Sequence, residues 1–216
     1  LLSFFLGKLF PLIGAVIFAL LIGMVIRNVR PFKEETQKGI NFVVKRMLKV
    51  AIILLGSTLS IQSILSTGMQ SIVVILMVVI GGIGITLLIG KWFNIDPTLS
   101  LLIGSGTSIC GATAISVVKG VISAKESITA YAISTIFFFN ILATLLYPWI
   151  TRMADFTSLQ TGIWIGASIH DTSSVVAVGY LLGDEIGEIA TTVKLVRTLF
   201  ILPLVLAILF IMVKKT

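Results

Sequence analysis

The chain has 216 residues, of which 57% are hydrophobic and 12% are charged, and its mean hydropathy is +1.14. A soluble domain carries about 25% charged residues, so a chain this apolar could not cover its own surface in water. The composition excludes an ordinary soluble domain and predicts an integral membrane protein. The net charge of +7 does not indicate nucleic-acid binding, because seven basic side chains crowd into residues 27–49. Such a cluster is typical of a loop that sets membrane topology.

About seven hydrophobic segments follow one another along the chain, and a membrane helix needs roughly 20 such residues. Lipid-exposed segments must satisfy their backbone groups internally, so we predict an all-α polytopic bundle that forms a single transmembrane domain over residues 1–216. The polar stretch Ser57–Gln70 is predicted to be the turn between the second and third segments. The segments are Leu1–Ile26, Met47–Ile64, Ser71–Gly90, Thr98–Val118, Ile128–Ile150, Leu159–Leu182 and Ile189–Val213.

The charges between the segments predict an orientation. The positive-inside rule places the basic stretch Arg27–Lys49 in the cytoplasm. Strict alternation then places Lys91, Arg152 and the C-terminus inside as well. It places Lys119–Glu126 and the acidic residues around Asp184 outside, where the two lysines of the former stretch run against the rule. This count depends on the fourth and sixth segments, which we predict to be broken or re-entrant.

Those two segments contain a repeat. Gly106-Thr-Ser-Ile-Cys-Gly-Ala-Thr-Ala is matched sixty residues later by Gly166-Ala-Ser-Ile-His-Asp-Thr-Ser-Ser. Small residues of this kind can simply let helices pack closely. A matched pair of glycine-interrupted segments instead favours the binding site of a transporter. One predicted span separates the copies, so counting makes them parallel.

Two ionisable residues, His170 and Asp171, lie in the middle of the sixth segment. A charge at that depth costs about 3 kcal/mol on insertion scales and is functional by default. Histidine titrates near neutral pH, so His170 is a candidate for proton transfer, and Asp171 is a candidate for binding a cation or a proton. The alternatives are a neutral packing histidine and a structural ion pair.

Lys194 and Arg197 begin the seventh segment, and their spacing places them on one helix face. A guanidinium fork suits an oxyanion, and lysine supplies a point charge. These residues therefore indicate an anion site or a partner for Asp171. The alternative is that both side chains extend to the outer headgroups.

A break in either repeat copy would direct backbone N–H groups and a helix N-terminus inward, as in anion sites. Catalytic templates such as HExxH or a phosphate loop are absent, so we predict no enzyme, no cofactor and no metal. Asn140 is predicted to bridge helices. The predicted ion-coupling residues are His170 and Asp171. The predicted substrate-binding residues are Ser108, Cys110, Gly111, Thr113, Ser168, Thr172, Ser173, Lys194 and Arg197.

Three motifs carry a family resemblance. Leu102-Ile-Gly-Ser-Gly-Thr-Ser-Ile-Cys-Gly-Ala-Thr-Ala, the stretch from Gly166, and Ala190-Thr-Thr-Val-Lys-Leu-Val-Arg resemble the bacterial YeiH-type family, which is named for sulfate export. The resemblance covers essentially the whole chain. It implies an inner-membrane protein that is distantly similar to bile-acid symporters and sodium/proton antiporters, with inverted repeats and crossing broken helices. Members of that family continue with further spans, so we expect this chain to be part of a longer transporter. Carried over by motif, the functional residues would be Ser108, Cys110, Gly111, His170, Asp171, Lys194 and Arg197.

Together these observations predict a secondary transporter of a small anion, such as sulfate or an organic sulfonate, coupled to a proton or a sodium ion. One alternative is a cation/proton antiporter that uses Asp171. Another is a non-transporting membrane subunit or scaffold. The expected surroundings are the bilayer of a bacterial cell membrane, with the basic loop and the C-terminus cytoplasmic, and a homodimer is left open.

Overall fold

The computed structural model describes residues 34–47 and 61–215, together with single positions between residues 3 and 57. Every regular element in this part of the chain is a helix, which confirms the all-α prediction. The chain divides into two compact units, Leu1–Ile64 and Leu65–Thr216, and the single transmembrane domain stays a prediction. The predicted segments Leu1–Ile26 and Met47–Ile64 lie largely outside the described residues.

In the first unit, α1 (Glu34–Phe42) is followed by a π-helix, Val43–Met47. The helix numbered α2 here is Ile61–Leu76, so the predicted turn Ser57–Gln70 is wrong from Ile61 onward. No proline interrupts that stretch, and its aliphatic residues let the helix continue. A π-helix, Met77–Gly81, joins α2 to α3. The later helices are α3 (Gly82–Trp92), α4 (Pro97–Ser108), α5 (Ala112–Ile122), α6 (Glu126–Met153), α7 (Ser158–Ser168), α8 (Thr172–Leu182), α9 (Asp184–Leu199) and α10 (Ile201–Lys215).

Among the described residues, three helical stretches are long and apolar enough to cross a membrane. They are Leu65–Trp92 with 28 residues, Glu126–Met153 with 28, and Asp184–Lys214 with 31, here called spans 1, 2 and 3. The helices α4, α5, α7 and α8 have only 11 or 12 residues. At 1.5 Å per residue each of these is about 17 Å long, roughly half the hydrocarbon thickness.

The helices α4 and α5 form a hairpin. The side chain of Ile115 lies 2.9 Å from where a β-carbon on Gly106 would stand. Leu102 of α4 shares a core cluster with residues of α5. Leu99 at the start of α4 and Ile122 at the end of α5 both pack against that cluster, so the two ends of the hairpin are neighbours. The N–H of Thr98 holds the pKa of Asp96 below its usual range. Residues 97–122 are here called hairpin 1, and residues 109–111 its tip.

The helices α7 and α8 form a second hairpin around the first turns of α9. A β-carbon on Gly162 would lie 2.5 Å from Ile189, and one on Gly179 would lie 2.9 Å from the Cα of Gly187. Leu182, at the end of α8, lines a cavity together with Phe156, which precedes α7, and Thr161 near its start. The chain therefore returns to the end from which it entered. Residues 158–182 are here called hairpin 2, and residues 169–171 its tip.

The two hairpins enter from opposite ends of the bundle, because span 2 runs between them. Their tips meet midway, where a β-carbon on Gly111 would stand 3.5 Å from the carbonyl oxygen of His170. The prediction of parallel copies is therefore wrong. Each copy turns back on itself, so a single intervening span inverts the second copy relative to the first. The prediction that these segments are broken or re-entrant is confirmed, and both are re-entrant.

Local signals start each hairpin at its end of the bundle. Asp96 caps α4 by accepting from the N–H of Thr98 at 2.7 Å, and Pro97 follows at the first helical position. Thr157 and Gln160 form a reciprocal capping box at the start of α7. Both are standard helix-start arrangements, and they satisfy N–H groups that would otherwise have no partner.

The hairpins also change which charges share an end. Strict alternation separated Lys91 from Lys119 and grouped Lys91 with Arg152. In the structure Lys91 and Lys119 lie at one end of the bundle and Arg152 lies at the other, because hairpin 1 does not cross the bundle. Lys119 forms an ion pair with Glu126 at that end. The basic end holds Lys91, Lys119, Lys125 and Lys214, and the acidic end holds Asp155, Asp184, Glu185 and Glu188.

The re-entrant architecture predicts a labelling pattern for single cysteines placed in a Cys110→Ser background. Lys91→Cys and Lys125→Cys should react with a membrane-impermeant maleimide from the same side of sealed vesicles. Glu185→Cys should react from the opposite side. Labelling of Lys91→Cys and Lys125→Cys from opposite sides would show that the fourth segment crosses completely.

Candidate functional site

The ends of two helices meet at the centre of the bundle. Both α4 and α7 stop at the hairpin tips, at Ser108 and Ser168. The last carbonyl groups of a helix have no partner within the helix and carry about half a negative charge together. Two such ends in one place require donors from elsewhere in the chain.

Lys194 and Arg197 of α9 supply these donors, and both side chains are fully buried. The Lys194 ammonium donates to the carbonyls of Ile109 at 3.0 Å and Ile169 at 2.8 Å, one from each tip. The Arg197 Nε donates to the Ser108 carbonyl at 2.6 Å. Its two amino groups donate to further carbonyls, those of Ala167 and Thr107.

These five bonds explain how two cations can lie at this depth. A cation at the bilayer centre costs about 3 kcal/mol on insertion scales. A hydrogen bond to a charged group contributes about 1.5–3 kcal/mol, so two or three bonds per side chain offset that cost. The complete burial of Lys194 and Arg197 excludes the alternative in which they extend to the headgroups.

The N-terminus of α8 is closed by its own carboxylate. Asp171 accepts from the N–H of Ser174 at 3.1 Å and from the hydroxyl of Ser173. Asn140 of span 2 accepts from the N–H of Asp171 at 2.9 Å and donates to the Ser174 hydroxyl at 2.9 Å. Asn140 therefore bridges span 2 and hairpin 2, as predicted from the sequence.

The N-terminus of α5 has no such carboxylate. Gly111 stands where the repeat has Asp171, and no side chain caps the helix there. Its φ of +69° lies in a region that favours glycine. Cys110 is buried next to Gly111, and Thr113 lies in the first turn of α5. This tip thus presents helix N–H groups beside small polar side chains.

The charges around the tips do not cancel when Lys194 is protonated. Two helix C-termini and two N-termini of about half a charge each sum to zero. Lys194 and Arg197 contribute two positive charges and Asp171 contributes one negative charge, which leaves about one positive charge. Among residues 61–215, no carboxylate forms an ion pair with either cation.

His170 lies at the tip of hairpin 2 and is 8% exposed. Its Nδ1 is buried and has no hydrogen-bond partner among the described residues. The ring lines a cavity between α4 and α6. A buried polar atom without a partner costs about 1–3 kcal/mol, so its placement here calls for a reason.

The remaining predicted site residues lie at or next to the tips. The hydroxyl of Ser108 is buried against Gly82 of span 1 and has no partner among the described residues. Ser168 is half-buried and faces an apolar groove beside α2. Thr172 opens α8 and is half-buried. The structure thus brings all eleven predicted residues to one region, although they face different sides of it.

Sequence reasoning missed the partners of the two cations, which are backbone oxygens. The carbonyls of Thr107, Ile109, Ala167 and Ile169 come from residues of unremarkable type, and any residue would supply the same atom. The signal available was indirect. A break after Ser108 and Ser168 exposes carbonyl groups, and two buried cations on one helix face can bind them.

Fold and site together define a helical membrane protein with two opposed re-entrant hairpins around a pair of buried cations. Within that class, the chain belongs to the family described as Conserved hypothetical protein 698, which matches residues 1–216. It is 42% identical over 219 residues to a UPF0324 membrane protein of Clostridium tetani. It is 37% identical over 217 residues to one of Streptococcus pyogenes and 38% over 207 residues to one of Fusobacterium nucleatum.

These relatives are longer than this chain. The alignments to the Clostridium tetani and Streptococcus pyogenes proteins cover 99% of this chain and 64% of the relative, and the alignment to the Fusobacterium nucleatum protein covers 93% and 60%. No solved structure matches. The family membership confirms the family and the assignment to the membrane. The similarity to bile-acid symporters and sodium/proton antiporters stays a prediction, and the names of the relatives state no activity.

Removing the Arg197 guanidinium should destabilise the fold. Arg197→Met fills similar space but leaves the carbonyls of Thr107, Ser108 and Ala167 without a donor. At about 1–3 kcal/mol for each buried unsatisfied group, the free energy of unfolding should fall by at least about 3 kcal/mol. Thermal unfolding in detergent measures this as a lower Tm. The matched control is Lys91→Met at an exposed lysine, and an equal Tm for the two variants would refute the capping role.

Proposed function

We propose that this chain forms part of a secondary transporter for a small anion. The observation that carries the proposal is that two basic side chains, Lys194 and Arg197, are fully buried between two hairpin tips with no carboxylate partner among the described residues. Their partners are neutral carbonyls, which stabilise the charges without neutralising them. A mobile anion would supply the missing charge.

The tip of hairpin 1 supports this location for the anion. Free N–H groups at a helix N-terminus bind oxyanions, and the helix dipole adds to the attraction. Asp171 plays this part at α8, whereas Gly111 leaves the equivalent position on α5 without a carboxylate. The substrate anion would take there the place that Asp171 takes in hairpin 2.

The inverted arrangement of the hairpins supports transport. Inverted repeats with interrupted helices that meet at mid-membrane are typical of secondary transporters, where small movements expose one site to either side. The chain spans about 64% of the length of its first relatives, so the complete transport path would include segments outside this sequence.

The distribution of charge supports the proposed orientation. With the basic end in the cytoplasm, Lys119 and Lys125 no longer run against the positive-inside rule, and Arg152 becomes the exception. The acidic end, with Asp155, Asp184, Glu185 and Glu188, would face outward. Hairpin 1 would then enter from the cytoplasm and hairpin 2 from outside.

A charge added at α5 should block anion binding. Thr113→Asp places a carboxylate in the first turn of α5, where it favours the helix but competes with a bound anion. We expect at least a tenfold weaker binding of sulfate and taurine by calorimetry, and loss of their uptake into proteoliposomes. Thr113→Asn is the isosteric neutral control and should retain both. Equal binding by the two variants, with unchanged Tm, would contradict the anion site.

Coupling is assigned to His170 and Asp171. Asp171→Asn keeps the helix cap, because asparagine caps as well as aspartate, but removes the charge. We expect uptake that no longer responds to a proton or sodium gradient, with anion binding within threefold of the unaltered protein. Asp184→Asn at the exposed acidic end is the control. Cation-dependent proton movement that needs no anion, and that Asp171→Asn abolishes, would instead establish the cation/proton antiporter.

A further inference from the structure

A half-open cavity of about 340 Å³ lies between α4 and α6, and His170 forms part of its lining. Its polar lining consists of Thr107, Thr135, Tyr147 and His170, and the rest is aliphatic or aromatic. A site of a few hundred Å³, mostly apolar and with a few convergent polar groups, is typical for a small organic ligand. Inorganic sulfate has no apolar part that could contact this lining.

Two observations connect this cavity with the charged centre. Thr107 lines the cavity, and its carbonyl accepts from the Arg197 guanidinium. The Nδ1 of His170 is buried without a partner among the described residues. A neutral imidazole always carries one N–H, so the ring can donate to an acidic oxygen within reach of the positive charge.

We propose that this cavity binds the hydrocarbon part of the substrate, so that the transported anion is an organic acid with a short apolar chain. The acidic group lies towards His170 and Thr107, and the chain contacts Phe139 and Leu142. This proposal rests on the proposed function and specifies its substrate class. It extends the site from the hairpin tips into the space beside span 2.

The apolar lining predicts how binding affinity depends on the length of the ligand's hydrocarbon chain. Each methylene group moved from water into an apolar site strengthens binding about fourfold. Affinity should therefore rise with chain length and stop rising once the chain outgrows the cavity. A site that recognises only the oxyanion would bind every member of the series equally.

The test is calorimetric titration of the purified chain in lipid nanodiscs with sulfate and the linear alkane sulfonates from methane to hexane sulfonate. We expect sulfate to bind weakest and the affinity to rise two- to fourfold per methylene over the shorter chains. His170→Gln should weaken binding of every sulfonate about tenfold.

A variant in which a larger side chain fills the cavity provides the second part of the test. Leu142→Trp places a larger ring in the cavity and should remove the dependence on chain length. Leu206→Trp is the matched control, because Leu206 is an exposed leucine of α10 outside the cavity. The two variants are compared only if their Tm values are equal. The sulfonate titrations of the unaltered chain test the proposal independently of these variants.

The outcomes separate the two proposals. Sulfate binding with no dependence on chain length overturns the organic substrate and leaves the anion site standing. The same dependence in Leu142→Trp and Leu206→Trp overturns this cavity as the location of the chain. Absence of binding by sulfate and by every sulfonate overturns the proposed function and this inference with it.

Discussion

The contact of Lys194 and Arg197 with five backbone carbonyls is the interaction on which the architecture depends. Non-helical backbone at membrane depth is tolerated only where it is buried in protein and its polar groups are satisfied. Each hairpin tip ends a helix at mid-bundle, and each of the two side chains donates to carbonyls from both hairpins. These two side chains therefore stabilise the place where the re-entrant hairpins meet, while span 2 between the hairpins accounts for their opposed entry.

The repeat gives the two hairpins the same backbone arrangement but different side chains at the start of their second helices. At equivalent positions, hairpin 2 has Asp171 and hairpin 1 has Gly111. A permanent carboxylate closes one helix N-terminus, and the other carries N–H groups without one. Small residues such as Gly166 let the hairpins approach α9 closely, since a β-carbon there would lie 2.5 Å from the carbonyl oxygen of Ala190. Close packing and site chemistry therefore share one motif instead of being alternatives.

The sequence predicted the membrane class, the two unusual segments and the residues at the centre, because apolar runs and buried charges are visible in composition. It did not distinguish a re-entrant hairpin from a crossing helix. A segment of some 25 apolar residues with small residues in the middle has the same length in both cases. Lys119 and Lys125, which ran against the positive-inside rule, were the signal that the segment returns. The carbonyl partners of Lys194 and Arg197 could not be predicted, because every residue type carries the same backbone oxygen.

The sequence separation of these contacts has a consequence for biosynthesis. Ser108 precedes its partner Arg197 by 89 residues, whereas Ala167 precedes it by 30. At about 5–20 residues per second, hairpin 1 is made roughly 4–18 seconds before the guanidinium that holds its tip. A tip without donors is not stable in hydrocarbon. Insertion of hairpin 1 must therefore wait for α9, so this part of the bundle is not completed in the order of translation.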